Sequence, residues 1–184
     1  MGKKLNAIIG RSTKKTSKLK ALFNLCVSRI TILRNQHQTR CSQARGDITQ
    51  LLQLGLQDRA LFRAEQVIKE QNLLDVFVMI EGYCNLLTER VVLLEYQIDR
   101  LLHSECPDEL REAISSLIFA ASRSGELPEL QDIRRKFADK FGREFASAAV
   151  NLLSDCRVNP MVKYIKENRM NAWISVYLPF SETH

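Results

Sequence analysis

The sequence predicts an all-α fold organised around one long antiparallel helical hairpin, and three observations predict it. Apolar residues recur three or four positions apart from Leu19 to Leu51 and again from Ala64 to Leu101, the spacing of a helix face that packs on a neighbour. One short interruption, at Gly55, separates the two runs. Proline and glycine, the punctuation of a many-stranded chain, number only 4 and 7 among 184 residues.

The first helix is expected from Thr16. Its inner seam reads Leu19, Leu22, Cys26, Ile30, Leu33, Cys41, Ala44, Ile48 and Leu51, with His37 filling the gap as a core group. It should end near Leu54, with Gly55 as the residue just past the end and Asp58 as N-cap of the next helix. The second seam carries Ala64, Val67, Leu74, Phe77, Ile80, Cys84, Leu87, Val91, Leu94, Ile98 and Leu101. Its steps average close to 3.5, the period of helices that pack side by side over a distance. A link of roughly four residues forces the two helices back on each other. At about 1.5 Å per residue, some forty residues give arms of roughly 60 Å. That is longer than a compact domain of this size requires, so elongation itself calls for a purpose.

Pro107 opens a third helix, with Ser104 or Cys106 as candidate caps and Asp108 and Glu109 in its first turn. Ile114, Leu117, Ile118 and Ala121 form its apolar side, and "SRSG" stops it by Gly125. A fourth helix begins around Pro128 with Leu130, Ile133, Phe137 and Phe141 on one face, then bends at Gly142 and continues towards Leu153. Beyond Asn159–Pro160 the pattern weakens, and "NAWISVYLPF" reads as a short strand or a frayed segment. The expected division is therefore a basic segment at 1–15, a helical domain at 16–158 and a tail at 159–184.

Composition narrows the class. A chain that is 45% hydrophobic and 26% charged belongs with soluble globular proteins, not disordered ones. No run of 18 apolar residues exists to span a bilayer, and "LNAII" is too short for a secretory signal. Asn6 stands where a Met-Gly myristoylation site needs Ser or Thr. Cys26, Cys41, Cys84, Cys106 and Cys156 form no CxxC pair, and His37, His103 and His184 do not cluster with them, so reduced thiols and no metal are expected. Charge is polarised along the chain. Residues 1–46 hold eleven Lys or Arg and no acid, while the remainder holds sixteen basic against twenty-one acidic residues. The basic end should seek a polyanion: a membrane surface, a nucleic acid or an acidic protein face.

Catalytic patterns are missing. There is no glycine-rich phosphate loop, no HExxH and no GxSxG. Acid pairs such as Glu81 with Glu89, or Asp132 with Asp139, lie among Lys and Arg as solvated helix faces. Composition and spacing alone therefore point to a non-enzymatic helical scaffold or binding module without a cofactor.

Two segments carry a resemblance. "LGLQDRALFRAEQVIKEQNLLDVFVMIEGYCNLLTERV" resembles the signature of the increased-sodium-tolerance (Ist) family of ESCRT-III-like proteins, through Gly55, Ala60, Arg63, Glu65, Ile68, Glu70, Glu81, Tyr83, Cys84, Leu86, Leu87 and Arg90. "ELREAISSLIFAASRSGELPELQDIRRKFADKFGREFA" is similar to the family segment that follows, with "EAISSLIFAA" and "LPEL" nearest its plant branch. The chain departs from the family's commonest form at "LFRAEQ", and after "VNP" it reads "MVKYIKENRMNAWISVYLPFSETH" in place of a proline-containing loop and a further helix.

The resemblance implies an ESCRT-III-like core, in which the long hairpin carries shorter helices along its side and acts as a stackable strut. It implies a role in multivesicular-body sorting and membrane remodelling, binding to an ESCRT-III subunit of the charged multivesicular body class, and regulation of the vacuolar-sorting AAA ATPase. It also implies assembly into homo-oligomers or filaments and a cytoplasmic protein peripheral on endosomal membranes. The family's C-terminal extension with ATPase-recruiting motifs is not in this sequence, so direct recruitment is not expected. On this reading Lys14, Lys15, Lys18, Lys20, Arg29 and Arg34 form the membrane-binding face. Arg63, Glu65, Lys69, Glu70, Glu81 and Arg90 form the partner or filament interface. The alternative is a basic nucleic-acid-binding helix or a generic scaffold. Nucleic acid is the less expected partner, because Phe23 is the lone aromatic residue among the basic positions of 1–46.

Overall fold

The computed structural model describes residues 2–96 and 105–163, with side chains for 17–94 and 105–163. Its helices are α1 (Gly2–Gln53), α2 (Gln57–Glu89), α3 (Val91–Tyr96), α4 (Asp108–Ala121), α5 (Glu129–Phe141), α6 (Arg143–Asn151) and α7 (Pro160–Lys163). No strand occurs among the described residues.

α1 and α2 form the expected hairpin. Gly55, at φ +73°, closes the turn. The Leu56 amide donates to the Leu51 carbonyl at 2.9 Å and the Gly55 amide to Leu52 at 3.0 Å, the paired bonds of a Schellman ending that only glycine adopts without strain. The turn is so tight that α2 resumes at Gln57. Asp58 is therefore not the N-cap: it lies in the first turn, and Leu56 holds the cap position without a side-chain bond. At Asp58 a carboxylate still meets the positive end of the helix.

Two helix boundaries differ from expectation. α1 starts at Gly2 rather than Thr16, because nothing before Thr16 except Gly10 opposes a helix and one glycine costs only about 1 kcal/mol. α2 does not run unbroken to Leu101. It stops at Arg90 (φ −96°, ψ 11°), and α3 takes over one residue later. Val91 and Leu94 beyond Arg90 stay buried, as Leu87 is before it. Ser104, Ile98 and Leu101 lie outside the described residues.

The seams are buried as spaced at Cys26, Ile30, His37, Cys41 and Ala44 of α1, and at Leu74, Phe77, Ile80, Cys84 and Leu87 of α2. Cys26 and Cys84 face each other, fully buried, and all five thiols are free. Burial pushes the Cys106 thiol up to about 11. Phe23, which the spacing did not assign to the seam, is also fully buried. It meets Phe137 at 6.3 Å, the first contact of a run of rings through Phe141 to Phe145.

The short helices pack along the hairpin. α4 rests on α2 and is surrounded by α5, α6 and α7, while α5 also reaches α1. The sequence marked one apolar side of α4, but every residue from Ala113 to Ala121 is buried. "AISSLIFAA" is apolar or small on all sides, the composition of a helix enclosed by its neighbours. α4 carries no side-chain cap; Cys106 precedes Pro107, which takes the cap position. α5 and α6 are the expected bent pair, broken at Gly142 (φ +94°). The packed unit runs on to Lys163, since Val162 of α7 is fully buried against α2 and α4.

Gly82 sits mid-α2, exposed, and a Cβ built there meets nothing within 4 Å. Gly82→Ala should therefore stabilise the fold by about 0.5–1 kcal/mol through helix propensity alone, read as a higher midpoint in urea unfolding.

Candidate functional site

α1, acid-free up to Gly46, presents its cations in two different ways. Lys18 and Lys20 are exposed, and Lys14 and Lys15 lie on the same helix one turn earlier, their side chains outside the described set. Lys18 leads along a heptad step to Leu25 and then Ile32, and these two large apolar side chains are 53% and 59% exposed. Ala21, Leu22 and Leu25 floor a shallow groove whose far wall is Asp132, Arg135, Lys136 and Asp139 of α5. This surface is thus cationic with apolar side chains standing out of it. Sequence reasoning missed Leu25 and Ile32, although both lie off the buried seam, and that was the available signal.

Arg29 and Arg34 are instead engaged with carboxylates of neighbouring helices, while staying partly open to solvent. Arg29 Nε donates to both carboxylate oxygens of Glu129, at 2.6 and 2.8 Å. Glu129 is 5% exposed, so its charge needs that partner. Arg34 Nη1 donates to Glu81 Oε2 at 2.7 Å. The first pair ties α1 to α5 and the second ties α1 to α2.

The six positions assigned to a partner interface are strung along the hairpin and do not converge. Arg63 donates to Asp47 Oδ2 from Nε (2.9 Å) and Nη2 (2.6 Å), and also to Gln66, clamping the two arms beside the turn. Glu70 meets His37 Nδ1, whose Nε2 lies 3.2 Å from Glu126 before α5, and the imidazole stands edge-on to Phe77 at 5.5 Å. Glu81 holds Arg34. Glu65 is half-exposed, and Lys69 and Arg90 are exposed. Much of the family-like signature is therefore the interlock of the hairpin itself.

Tyr83, another signature residue, anchors the helices beside the hairpin. Its hydroxyl donates to Glu112 Oε1 at 2.6 Å, and Asn159 Nδ2 donates to the same oxygen at 3.0 Å. The Asn159 amide reaches Ser116 Oγ at 3.0 Å. α2, α4 and the entry to α7 meet at this point. Burial first, then the bond to the Glu112 carboxylate, push the Tyr83 phenol well above its ordinary value. The bonds from Tyr83 and Asn159 hold the Glu112 carboxyl below its own. A raised folded value contributes stability that is complete below the unfolded value and lost as pH rises past about 10. The lowered Glu112 value gives stability present above about pH 4.3 and lost below it. Tyr83→Phe should flatten the alkaline decline in stability and soften the acid one, checked by urea midpoints across pH.

Among the described residues, no group of three or more His, Cys, Asp or Glu is placed to hold a metal ion, and no helix is long and apolar enough to cross a membrane. The arrangement offers surfaces for docking.

Comparison with known proteins places the chain. A family model described as "Ist1: Regulator of Vps4 activity in the MVB pathway" matches residues 20–171. An IST1-like protein of Dictyostelium discoideum is 30% identical over 145 residues, covering 79% of this chain and 37% of that protein. The vacuolar protein sorting-associated protein IST1 of Saccharomyces cerevisiae is 28% identical over 137 residues, covering 73% of this chain and 46% of its own. This chain thus spans less than half the length of either relative. The crystal structure of the S. cerevisiae Ist1 N-terminal domain in complex with the Did2 MIM motif shares the fold, with a TM-score of 0.72 at 24% identity over 88% of this chain and 87% of that one.

Proposed function

This chain belongs to the Ist1 family, whose description is regulation of Vps4 activity in the multivesicular-body pathway, and from that premise we propose that it works as a peripheral membrane regulator. On this reading it attaches to acidic membrane through α1, binds an ESCRT-III subunit of the charged multivesicular body class, and modulates the AAA ATPase without catalysing a reaction itself. Its place is the cytoplasmic face of endosomal membranes.

The observation that carries the reading is the acid-free stretch of α1 up to Gly46, with exposed Lys18 and Lys20 beside exposed Leu25 and Ile32. Cations near an anionic bilayer are attracted by about 1 kcal/mol each, and apolar side chains between them add burial at the interface. The yeast Ist1 N-terminal domain binds a Did2 MIM motif, and we extend to this chain the capacity to take an equivalent segment of an ESCRT-III subunit.

The test is flotation of the full chain with phosphatidylserine-containing vesicles over a salt series, with and without such a subunit, alongside the ATPase rate of Vps4. Salt-sensitive flotation strengthened by the subunit, with a changed ATPase rate, supports the reading. Binding to duplex DNA in preference to vesicles would refute it.

A further inference from the structure

The cationic stretch of α1 carries hydroxyl groups as well as lysines. "RSTKKTSKLK", at positions 11–20, holds Ser12, Thr13, Thr16 and Ser17 among Arg11, Lys14, Lys15, Lys18 and Lys20. Of these four hydroxyl residues, Ser17 alone has a lysine three positions away on both sides, Lys14 before it and Lys20 after it. Positions three apart on a helix are neighbours, so Lys14, Ser17 and Lys20 form one row along α1. Ser17 is exposed, as are Lys18 and Lys20. Farther along the helix the setting changes. Ser28 and Thr31 donate to the carbonyls of Asn24 and Val27, at 2.9 and 3.1 Å. The cations near them, Arg29 and Arg34, are already held by Glu129 and Glu81.

We propose that Ser17 is a phosphorylation site and that its phosphate releases the chain from acidic membrane, an inference that rests on the membrane reading above. The phosphoryl group comes from ATP. Ser17 Oγ bonds to the γ-phosphorus, the bond from that phosphorus to the oxygen of ADP breaks, and the hydroxyl proton passes to a base of the kinase. The lysines on either side suit a kinase whose substrate cleft is acidic. Packing favours the site too. No side chain from Ser17 to Leu22 is buried, and Phe23 is the first of the described side chains that is. The turn around Ser17 can therefore open in a kinase cleft without unpacking the core. Once attached, the phosphate carries a charge of about −1.5 to −2 and three strong acceptor oxygens. It offsets about two of the cations, and it offers Lys14 and Lys20 a partner on their own helix in place of lipid. The loss is about thirtyfold in affinity for an anionic surface. Leu25 and Ile32 are unaffected, so only the salt-sensitive part of binding falls.

Flotation of the full chain with phosphatidylserine-containing vesicles, with phosphoserine installed at position 17 by codon expansion, tests the proposal. At low salt the phosphoserine chain should bind about thirtyfold more weakly than the unmodified chain with equal helicity, and the two should converge as salt rises. Ser17→Ala should float like the wild type. ATP with protein kinase C, which selects hydroxyls beside basic residues, should release the wild type from vesicles and leave Ser17→Ala bound, with the phosphate mapped to Ser17 by mass spectrometry. An unmodified chain that floats no better than the phosphoserine chain would overturn the switch while leaving the membrane reading intact. Phosphate found only on other residues, or none at all, would overturn the site. An unmodified chain that does not float would bring down the membrane reading and the switch with it.

Discussion

Changing Lys14, Lys15, Lys18 and Lys20 together to Glu should abolish flotation with anionic vesicles. The four cations are worth about 4 kcal/mol near such a surface, roughly a thousandfold in affinity. Reversal adds repulsion, leaving seven basic residues against four acids in positions 1–46. The fold should not suffer, since Lys18 and Lys20 are exposed. Arg29 and Arg34 make the contrasting case, because both are engaged with Glu129 and Glu81. Arg29→Gln should lower stability by leaving the Glu129 carboxylate buried without its cation, and it should scarcely change flotation. Leu25→Ser with Ile32→Ser should remove whatever binding persists at high salt, because apolar insertion is not screened. If the quadruple variant floats like the wild type, the basic face is only solvated and the membrane reading fails.

That contrast between exposed and engaged cations shows where sequence legibility ends. A helix seam repeats locally, so the burial of Ile30, Phe77 and Leu87 could be read from spacing. Gly55 could be read too, because a positive φ has few alternatives to glycine. Arg29 and Glu129 are 100 positions apart and Arg34 and Glu81 are 47 apart. No local pattern links such partners, so a basic stretch looked uniform that the fold divides. The enclosure of α4 was hidden for a related reason. Its apolar side was visible, but Ser115 and Ser116, which that side leaves out, are fully buried too, and Ser116 Oγ accepts from the Asn159 amide at the entry to α7. The break at Arg90 has no proline or glycine to announce it, so no local signal marks it. Family likeness gave the hairpin an expected purpose. It did not distinguish signature residues that hold the hairpin together, such as Arg63 and Cys84, from residues available to a partner.

Phe119→Ala should be the most damaging single truncation in the helices beside the hairpin. The ring is fully buried, and the Arg123 guanidinium lies 3.7 Å from its centroid. Removing an enclosed phenylalanine costs about 3–5 kcal/mol, which in a chain of this size lowers Tm by roughly 10–15 °C. Part of that loss passes through Arg123, which also donates to the Val150 carbonyl at 2.9 Å and so binds the end of α4 to α6. Arg123→Ala should cost about 1.5–3 kcal/mol by removing that charged bond. The double variant should fall short of the sum, since both changes remove the same stacked contact. The hairpin has its own fastenings in the Arg34–Glu81, His37–Glu70 and Arg63–Asp47 pairs and in its buried seam. Hydrogen exchange in Phe119→Ala should therefore rise first in α6, with α1 and α2 still protected. Equal loss of protection in α2 and α6 would mean that the hairpin and its side helices unfold as one cooperative unit. The first behaviour is the expected one, and local loosening of that kind leaves the long axis of the hairpin intact.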